Sequence, residues 1–490
     1  MKLKKILSLV LVLVMAAALF VGCAGNGGKD QSTTAASGEP TTAAQGEEET
    51  GNTNGVINEE RTESISSYAV DTTSYTIGDE ETREITYKGT IKVGNTAATT
   101  GLFASVGVPF NQGLEAYLNR INFNGGVGGD FEAGTQGYYL EFIHYDDNFE
   151  ASTGASYTKK LVEEDGIFAL VGHFGSPTVG ATIDYIKQQG VIACYFASGV
   201  GTLFNVEADS IANGSTLFPV QPIYTTEGRI MVARIIEQYP EARKIGVVYT
   251  SDEAGTGLKE GAAAQVEAIG GDYSVVLSET TADSADFTPA VNLVADCDVV
   301  IVAAIQQGTV SIVKSMITNG IFKPVFTTYS VAAASTLTEI KPDYDNLAEE
   351  NKFPIYTDAW LSATDVDAYL EFCEDIMSFS GNDETILNAY AQAGWIAAAI
   401  FCEGLDRVIA ANKDITTVNF VEAMESEEIV LKMGTSSTGD SILDYSDGYR
   451  IGTTTMSLLK SNDTCNAFEE VAGMKNFLDF MKSGDINDIA

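Results

Sequence analysis

The sequence predicts an α/β protein with two successive parallel sheets. Short runs rich in β-branched and aromatic residues alternate with segments whose apolar residues recur at helical spacing. The first four predicted strands are 91–93, 138–143, 167–171 and 191–195, and the next four are 245–249, 273–277, 299–303 and 325–327. Such alternation is typical of βαβ units, and its restart beyond residue 221 predicts two Rossmann-like lobes.

The helices between these strands are predicted from apolar spacing and from their first residues. Ser176 and Thr288 each precede a proline, an order that favours an N-cap followed by the first helical residue. Spacings of i, i+3, i+4 and i+7 connect Leu114, Tyr117, Leu118 and Ile121, and a similar pattern connects Val179, Thr182, Ile183 and Ile186. Further helices are predicted over 256–269, 288–295, 309–319, most of 365–409, and 418–423.

Composition and charge exclude several classes of function. The 28 Lys and Arg residues against 68 Asp and Glu give a net charge of −40, which disfavours nucleic-acid binding. Only two histidines occur among the 490 residues, without a CxxC or HExxH motif, so we expect no metal and no cofactor. No GxSxG motif is present, and we expect no enzyme activity; an anchored cell-surface enzyme is the alternative that ligand turnover would reveal.

The N-terminal segment has the pattern of an export signal. Three lysines precede the apolar run 6–20, which predicts a signal peptide over 1–22. The residues before Cys23 resemble the lipobox of bacterial lipoproteins, in which the cysteine carries the lipid; an ordinary signal peptide is the alternative. The polar and acidic stretch 23–86 is predicted to be a disordered linker that tethers the folded part. The other cysteines, an odd number, predict no disulfide framework: Cys194, Cys297, Cys373, Cys402 and Cys465.

An ordered series of motifs resembles the branched-chain amino-acid binding-protein family, the extracytoplasmic receptors of bacterial ABC importers. The series extends over 90–329, with weaker similarity to about residue 460. Its pieces are Thr100-Gly101-Leu102-Phe103-Ala104-Ser105-Val106-Gly107, Gly113-Leu114-Glu115, Ile121-Asn122, Gly125-Gly126-Val127-Gly128-Gly129, Tyr145-Asp146-Asp147, Val171-Gly172-His173-Phe174-Gly175-Ser176 and Ile245-Gly246-Val247-Val248-Tyr249. The resemblance implies a type I periplasmic-binding-protein-like fold with a three-crossing hinge. Lobe one would comprise 87–221 and 353–440, and lobe two 222–352 and 441–490.

The resemblance also implies a ligand site between the lobes. Ser176 would bind a ligand carboxylate at the start of a helix whose first amides, Thr178 and Val179, have no partner within the helix. Ala197 and Ser198 would add backbone amides and a hydroxyl, with an ordinary helix cap and an ordinary turn as the alternatives. Tyr224 would close over the ligand or be an exposed hinge residue. The expected wall of lobe one comprises Phe103, Ser105, Val106, Phe174 and Gly175.

Lobe two departs from the family pattern. Ala254 stands where the family has a tyrosine, and Tyr329 lies near the position of the glutamate that holds the ligand ammonium. A tyrosine is a poor partner for a buried ammonium, so Glu253 or Asp252 would have to substitute. Selectivity is therefore expected from Glu253, Ala254, Gln306 and Tyr329.

The sequence thus predicts an extracytoplasmic, lipid-anchored solute-binding protein of an ABC importer. We expect a monomer that captures an amino acid or a related polar solute, such as an amide, a urea-like compound or a small organic acid. Its partners would be that solute, the permease subunits and, through the lipid on Cys23, the membrane. The alternative is a ligand-sensing receptor that feeds a signalling partner.

Overall fold

Two sheets, each flanked by helices, organise the chain. The computed structural model describes residues 53–483 except 72–73, 75, 102, 204, 206, 333, 362–365, 382–385, 432 and 434–441. The predicted signal peptide and Cys23 lie outside the described residues. The predicted α/β class with parallel sheets is confirmed.

The elements before the first crossing between lobes begin with a short strand and a hairpin. In chain order they are β1 (Val56–Ile57), β2 (Arg61–Asp71), β3 (Thr76–Tyr87), β4 (Gly89–Ala97), α1 (Ala104–Phe123), β5 (Tyr138–Asp146), α2 (Ala151–Lys160), β6 (Ala169–Phe174), α3 (Ser176–Gln189), β7 (Ile192–Ala197) and β8 (Leu217–Phe218). The first sheet has the order β1-β4-β6-β7-β8, with β5 beside β4. All its pairs are parallel except the β1–β4 pair.

The second lobe repeats the alternation. Its elements are α4 (Tyr224–Gln238), β9 (Lys244–Thr250), α5 (Glu253–Ile269), β10 (Ser274–Thr280), α6 (Thr288–Leu293), β11 (Val299–Ala303), α7 (Gln306–Thr318), β12 (Val325–Thr327), α8 (Ala334–Tyr344) and β13 (Ile355–Ala359). The remaining elements are α9 (Val366–Ser380), α10 (Ala389–Ala410), α11 (Thr417–Ser426), β14 (Ile429–Val430), β15 (Ile442–Leu443), β16 (Thr455–Ser461), β17 (Phe468–Asn476) and α12 (Leu478–Ser483). The second sheet has the order β10-β9-β11-β12-β13-β16-β17.

The chain passes between the sheets three times, as predicted: between β8 and β9, after β13, and before β16. One predicted assignment needs correction. Residues 353–359 were expected in lobe one, but Ile355–Ala359 form β13, whose backbone pairs with β12 and β16 in the second sheet. The segment after 441, expected in lobe two, first contacts lobe one, where the Tyr445 hydroxyl donates to the carbonyl oxygen of Pro219 (2.7 Å).

Close approach of α1 and α10 forms the core of lobe one. A methyl group on Gly113 would overlap the carbonyl oxygen of Ala391, and one on Gly394 would overlap that of Phe110. The backbones therefore meet where neither helix carries a side chain. Trp395 is fully buried beside this contact and donates its ring N–H to Asp375 (2.6 Å).

The prediction of a disordered linker is wrong for the described residues between 53 and 86. Strands β2 and β3 form an antiparallel hairpin that packs against α1 and α9. Hydroxyl pairs such as Ser66–Thr82 (2.7 Å) link the strands, and the Arg83 guanidinium lies 4.1 Å from the centre of the Phe123 ring. The polar composition conceals this structure because the hairpin is stabilised by cross-strand hydrogen bonds and by arginine–aromatic contacts rather than by a deep core.

The cysteines of the described residues are all buried and free in this structure. Burial raises the pKa of the Cys373 thiol to about 12 and that of Cys465 to about 11. These thiols are therefore protonated at neutral pH and pack as small apolar groups.

Candidate functional site

The carboxyl ends of β6 and β7 bring two predicted serines together. These strands are parallel neighbours, so the turns that follow them meet at one edge of the sheet. Ser176 begins α3 and Ser198 follows β7 directly, and their hydroxyl oxygens lie 2.9 Å apart. Both side chains are buried, with 7% and 2% of their surface exposed.

The start of α3 differs in detail from the prediction. Gly175, rather than Ser176, occupies the N-cap position, with a φ of +89° that favours glycine. The Val179 amide, predicted to have no partner, donates to the Gly175 carbonyl oxygen (2.9 Å), while the Gly175 amide donates to Ala197 (3.2 Å). Ser176 is thus the first helical residue, and its hydroxyl bonds Ser198 instead of capping the helix.

Tyr224 contributes a third hydroxyl at this edge. It begins α4, just after the first crossing. Only 4% of its surface is exposed, which excludes the alternative that Tyr224 is an exposed hinge residue. Its hydroxyl lies close to the Ser176 side chain, and burial raises the pKa of Tyr224 to about 12. Three neutral hydroxyl groups therefore converge where the lobes meet.

Tyr329, predicted to set selectivity, lies beside Tyr224. The two rings are stacked, with centroids 6.2 Å apart. The Tyr329 hydroxyl donates to the carbonyl oxygen of Pro222 and accepts from the side-chain amide of Gln221, each at 3.0 Å. Burial raises the pKa of Tyr329 well above its ordinary value, so the group is a neutral phenol.

Glu227, on α4, is a residue that sequence reasoning missed. Its carboxylate accepts the Tyr329 amide (2.6 Å) and the Thr328 hydroxyl (2.9 Å), and the residue is fully buried. One signal was available: Glu227 lies four residues after Ile223 and three before Ile230, on the apolar stripe of the helix. A charged residue on a buried stripe indicates a specific polar contact.

The loops of lobe two bring only part of the predicted selectivity set to the cleft. Asp252 caps α5 by accepting the Gly255 amide (2.8 Å), so this carboxylate is engaged within its own loop. Glu253 is exposed and faces α3 of lobe one, since a methyl group on Gly180 would lie 3.6 Å from its Oε1 atom. Ala254 is buried in lobe two. Gln306 begins α7, and its side chain lies outside the described residues.

Aromatic residues line the adjoining part of lobe one. Phe103 stacks on Phe149, with ring centroids 3.8 Å apart, and Phe149 meets Phe174 edge to face at 6.4 Å. Phe149 was not predicted, because its position depends on a backbone φ of +64° that the sequence does not indicate. Ser105 and Val106 lie within α1 rather than in a loop, the first exposed and the second packed against the core of lobe one.

The two histidines have structural environments. His173 is fully buried and pairs with the Thr182 hydroxyl through Nε2 (2.9 Å), and burial lowers its pKa to about 4. His144 hydrogen-bonds Thr99, Asn95 and Asn111, and burial also lowers its pKa. Among the described residues, no group of three or more His, Cys, Asp or Glu side chains is arranged to hold a metal ion.

A family model described as "Periplasmic binding protein" matches residues 90–448, which is more than half of the chain. This chain belongs to the periplasmic binding protein family. Members of the family bind small solutes outside the cytoplasm and work with ABC transporter permeases. The hairpin β2–β3 precedes the matched region.

Relatives of known description cover shorter segments. An "Amino acid binding protein" of Pseudomonas aeruginosa is 24% identical over 181 residues, which are 37% of this chain and 44% of that protein. A "Leu/Ile/Val-binding protein homolog 2" of Brucella abortus is 30% identical over 102 residues, or 21% of this chain and 25% of that protein. The matched segments thus span less than half the length of either relative.

Solved structures of periplasmic binding proteins share the fold at low sequence identity. A branched-chain amino-acid ABC transporter protein of Thermus thermophilus with bound valine has a TM-score of 0.64 at 15% identity, covering 81% of this chain and 99% of that one. A fatty-acid ABC transporter substrate-binding protein of Thermomonospora curvata has a TM-score of 0.62 at 18% identity, covering 79% and 92%. The second of these neighbours is a substrate-binding protein. In the described part of this chain, no helix has the length and apolar character that a membrane span needs.

Proposed function

We propose that this periplasmic binding protein is the solute-binding component of an ABC importer and closes its two lobes over a small solute that carries a carboxylate. The observation that carries this proposal is the convergence of the Ser176, Ser198 and Tyr224 hydroxyls at the edge where the lobes meet. Hydroxyl groups held together in a buried site can donate to a carboxylate without adding charge of their own. A helix N-terminus beside them favours the same anion.

The second lobe would decide which carboxylate is accepted. Tyr329 presents a neutral phenol, and the buried Glu227 already accepts two hydrogen bonds from the Thr328–Tyr329 turn. A ligand ammonium would therefore depend on the exposed carboxylate of Glu253. We infer that the ligand is an amino acid held in this way or a related amide, urea-like compound or organic acid, with Ala254 and Gln306 adding contacts.

Outside the cytoplasm, the protein would stay at the membrane through a lipid on Cys23. The lipobox-like residues before that cysteine and the apolar run 6–20 support this proposal. We propose that the protein acts as a monomer, with the permease as its partner.

A thermal-shift screen tests the proposed function. The protein is melted with amino acids, amides, urea, benzoate and short organic acids, and a solute at 100 times its Kd should add about 2.7 kcal/mol to the free energy of unfolding. The double variant Ser176→Ala/Ser198→Ala should lose most of this shift, whereas Ser156→Ala, at an exposed serine on α2, should keep it. Retention of full affinity by the double variant would refute the carboxylate site.

A further inference from the structure

Glu227 is a buried carboxyl group that contacts a single turn of lobe two. It lies on α4, and its two oxygens accept from neighbouring residues: Oε1 from the Tyr329 amide at 2.6 Å and Oε2 from the Thr328 hydroxyl at 2.9 Å. The residue has no exposed surface. Burial of a carboxyl group is unfavourable unless its contacts compensate, so this pair of hydrogen bonds is the reason to expect a specific role.

The turn that Glu227 holds is fixed from a second side. The Thr328 hydroxyl accepts the Ser330 amide (3.3 Å), and the Thr357 hydroxyl donates to the Thr328 carbonyl oxygen (2.9 Å). The turn follows β12 directly, at the carboxyl end of a parallel strand, where such sheets present their ligand contacts. The Glu227 carboxyl group therefore defines the orientation of the backbone from which the Tyr329 side chain extends.

The other end of Tyr329 is held at the hinge. Its hydroxyl accepts from the Gln221 side-chain amide and donates to the Pro222 carbonyl oxygen, and the Gln221 oxygen in turn accepts from the Tyr195 hydroxyl at 3.0 Å. Tyr195 belongs to lobe one and has a φ of +65°, a backbone conformation that is unfavourable for a tyrosine. Hydrogen bonds at the backbone and at the hydroxyl of Tyr329 thus link this residue to Glu227 in lobe two and, through Gln221, to Tyr195 in lobe one.

Position and chemistry together assign a role to these groups. We propose that Glu227 is a positioning residue: through the Thr328–Tyr329 turn it fixes Tyr329 as the lobe-two wall of the cleft, and Gln221 fixes the hydroxyl end of the same side chain. The proposal rests on the proposed function, because it assigns Tyr329 the task of selecting the solute. Burial and the nearby Asp358 carboxyl group raise the pKa of Glu227, whereas the hydrogen bonds from Tyr329 and Thr328 lower it.

Three variants separate positioning from simple packing. Glu227→Gln keeps an oxygen that accepts the Tyr329 amide and an NH₂ group that can donate to Thr328, whereas Glu227→Met keeps the volume and loses both contacts. Thr328→Val removes the hydroxyl that bonds Glu227 and the Ser330 amide and keeps the shape of the side chain, so it remains informative if Glu227→Met does not fold. The measurement is hydrogen exchange of the Tyr329 amide in the full chain without ligand, with the amides of β9 as the internal control.

We expect about tenfold faster exchange of the Tyr329 amide in Glu227→Met, faster exchange in Thr328→Val, and wild-type exchange within about threefold in Glu227→Gln. The β9 amides should be unchanged in all three. Unchanged exchange in Glu227→Met, or equal acceleration in Glu227→Gln, would overturn the proposal. The exchange experiment needs no ligand, so failure of the proposed function would show separately, as the absence of a melting shift with every solute in the screen.

The consequence for selectivity is tested with the same solute panel. Glu227→Met and Tyr329→Phe should alter the melting shifts of the same solutes, whereas Glu227→Gln should reproduce the wild-type profile. A wild-type profile in Glu227→Met, obtained although the Tyr329 amide exchanges faster, would show that the position of Tyr329 does not control solute choice and would overturn this part of the proposal.

Discussion

The hydroxyl oxygens of Ser176 and Ser198 lie 2.9 Å apart although 22 positions separate the residues in the chain. One of the two O–H groups is used in this bond, and the Ser198 oxygen also accepts the Val200 amide at 3.3 Å. The pair therefore retains one hydroxyl proton to donate elsewhere, and the Tyr224 hydroxyl adjoins it. A carboxylate that bound here would accept from both remaining protons.

Substitution of either serine should weaken solute binding by about tenfold, because a hydrogen bond to a charged group contributes roughly 1.5 kcal/mol or more. The double variant should lose less than the sum of the two losses, since the hydroxyls are bonded to one another and each single substitution already disturbs its partner. Titration calorimetry with the best solute from the melting screen measures the Kd of the two single variants and of the double variant. Strict additivity of the two losses would contradict a shared site.

A glycine contact in lobe one should be strongly sensitive to substitution. Gly394→Ala should destabilise the protein by about 3 kcal/mol or more, because its methyl group would overlap the Phe110 carbonyl oxygen and force α1 and α10 apart. Gly180→Ala is the matched control: it lies on an exposed part of helix α3, and alanine should stabilise that helix by roughly 0.5–1 kcal/mol. Urea unfolding measures both. Equal effects of the two substitutions would show that helix propensity, not helix packing, decides the outcome.

The hairpin β2–β3 should behave as part of the folded protein. Arg83 is only 14% exposed, and its guanidinium lies over Phe123 at 4.1 Å and Phe131 at 4.5 Å from the ring centres. Arg83→Ala should therefore lower the free energy of unfolding by about 1–2 kcal/mol. Lys413→Ala, which removes an exposed ion pair with Glu422, should change it by less than about 0.5 kcal/mol.

Trypsin provides a second test of the hairpin. Cleavage after Arg61 should be slow in the wild-type protein, because this guanidinium is paired with Glu141 (2.5 Å) and its backbone lies in β2. The Arg83→Ala variant should be cut there sooner, since its hairpin opens more often. Rapid cleavage after Arg61 in the wild-type protein would contradict the folded hairpin and support the disordered linker that the sequence predicts.

The succession of strands along the chain could be predicted from their apolar runs, and the family resemblance implied that Ser176 and Ser198 share one site. Buried parallel strands such as Val299–Ala303 are almost entirely apolar, and the turns after parallel neighbours must share one edge. The sequence did not show that Gly175, rather than Ser176, is the N-cap residue of α3. Its position depends on a left-handed turn beneath the Phe149 ring, which would lie 2.9 Å from a methyl group on this glycine.

Other parts of the site depend on contacts between distant segments. Phe149 enters the aromatic wall because its own φ is positive, and Glu227 acquires its partners only when α4 packs beside the turn after β12. The hairpin was missed for a different reason. Its residues alternate between half-buried and exposed positions, but the half-buried ones include Arg61 and Glu63. The composition of the segment is therefore that of a polar linker and does not predict a strand.

A buried acid in lobe two should make stability depend on pH. Asp358, on β13, has 1% of its surface exposed, and neither carboxylate oxygen has a hydrogen-bond partner in the described structure. Burial raises its pKa from an ordinary 3.8 to about 7, with Arg234 lowering and Glu237 raising the pKa as smaller effects. The native state therefore binds this proton more tightly than the unfolded chain does between about pH 4 and pH 7.

The stability contributed by protonated Asp358 is fully present below about pH 4 and is lost as the pH rises through 7, up to about 4 kcal/mol in all. Asp358→Asn cannot ionise, so its melting temperature should fall less than that of the wild-type protein between pH 5 and pH 8. Asp298→Asn is the control: the Arg243 and Lys244 amides lower the pKa of Asp298, so this variant should lose the same amount of stability at every pH between 5 and 8. Melting curves across this range decide the matter, because parallel pH dependence in Asp358→Asn and the wild-type protein would mean that Asp358 does not titrate within it.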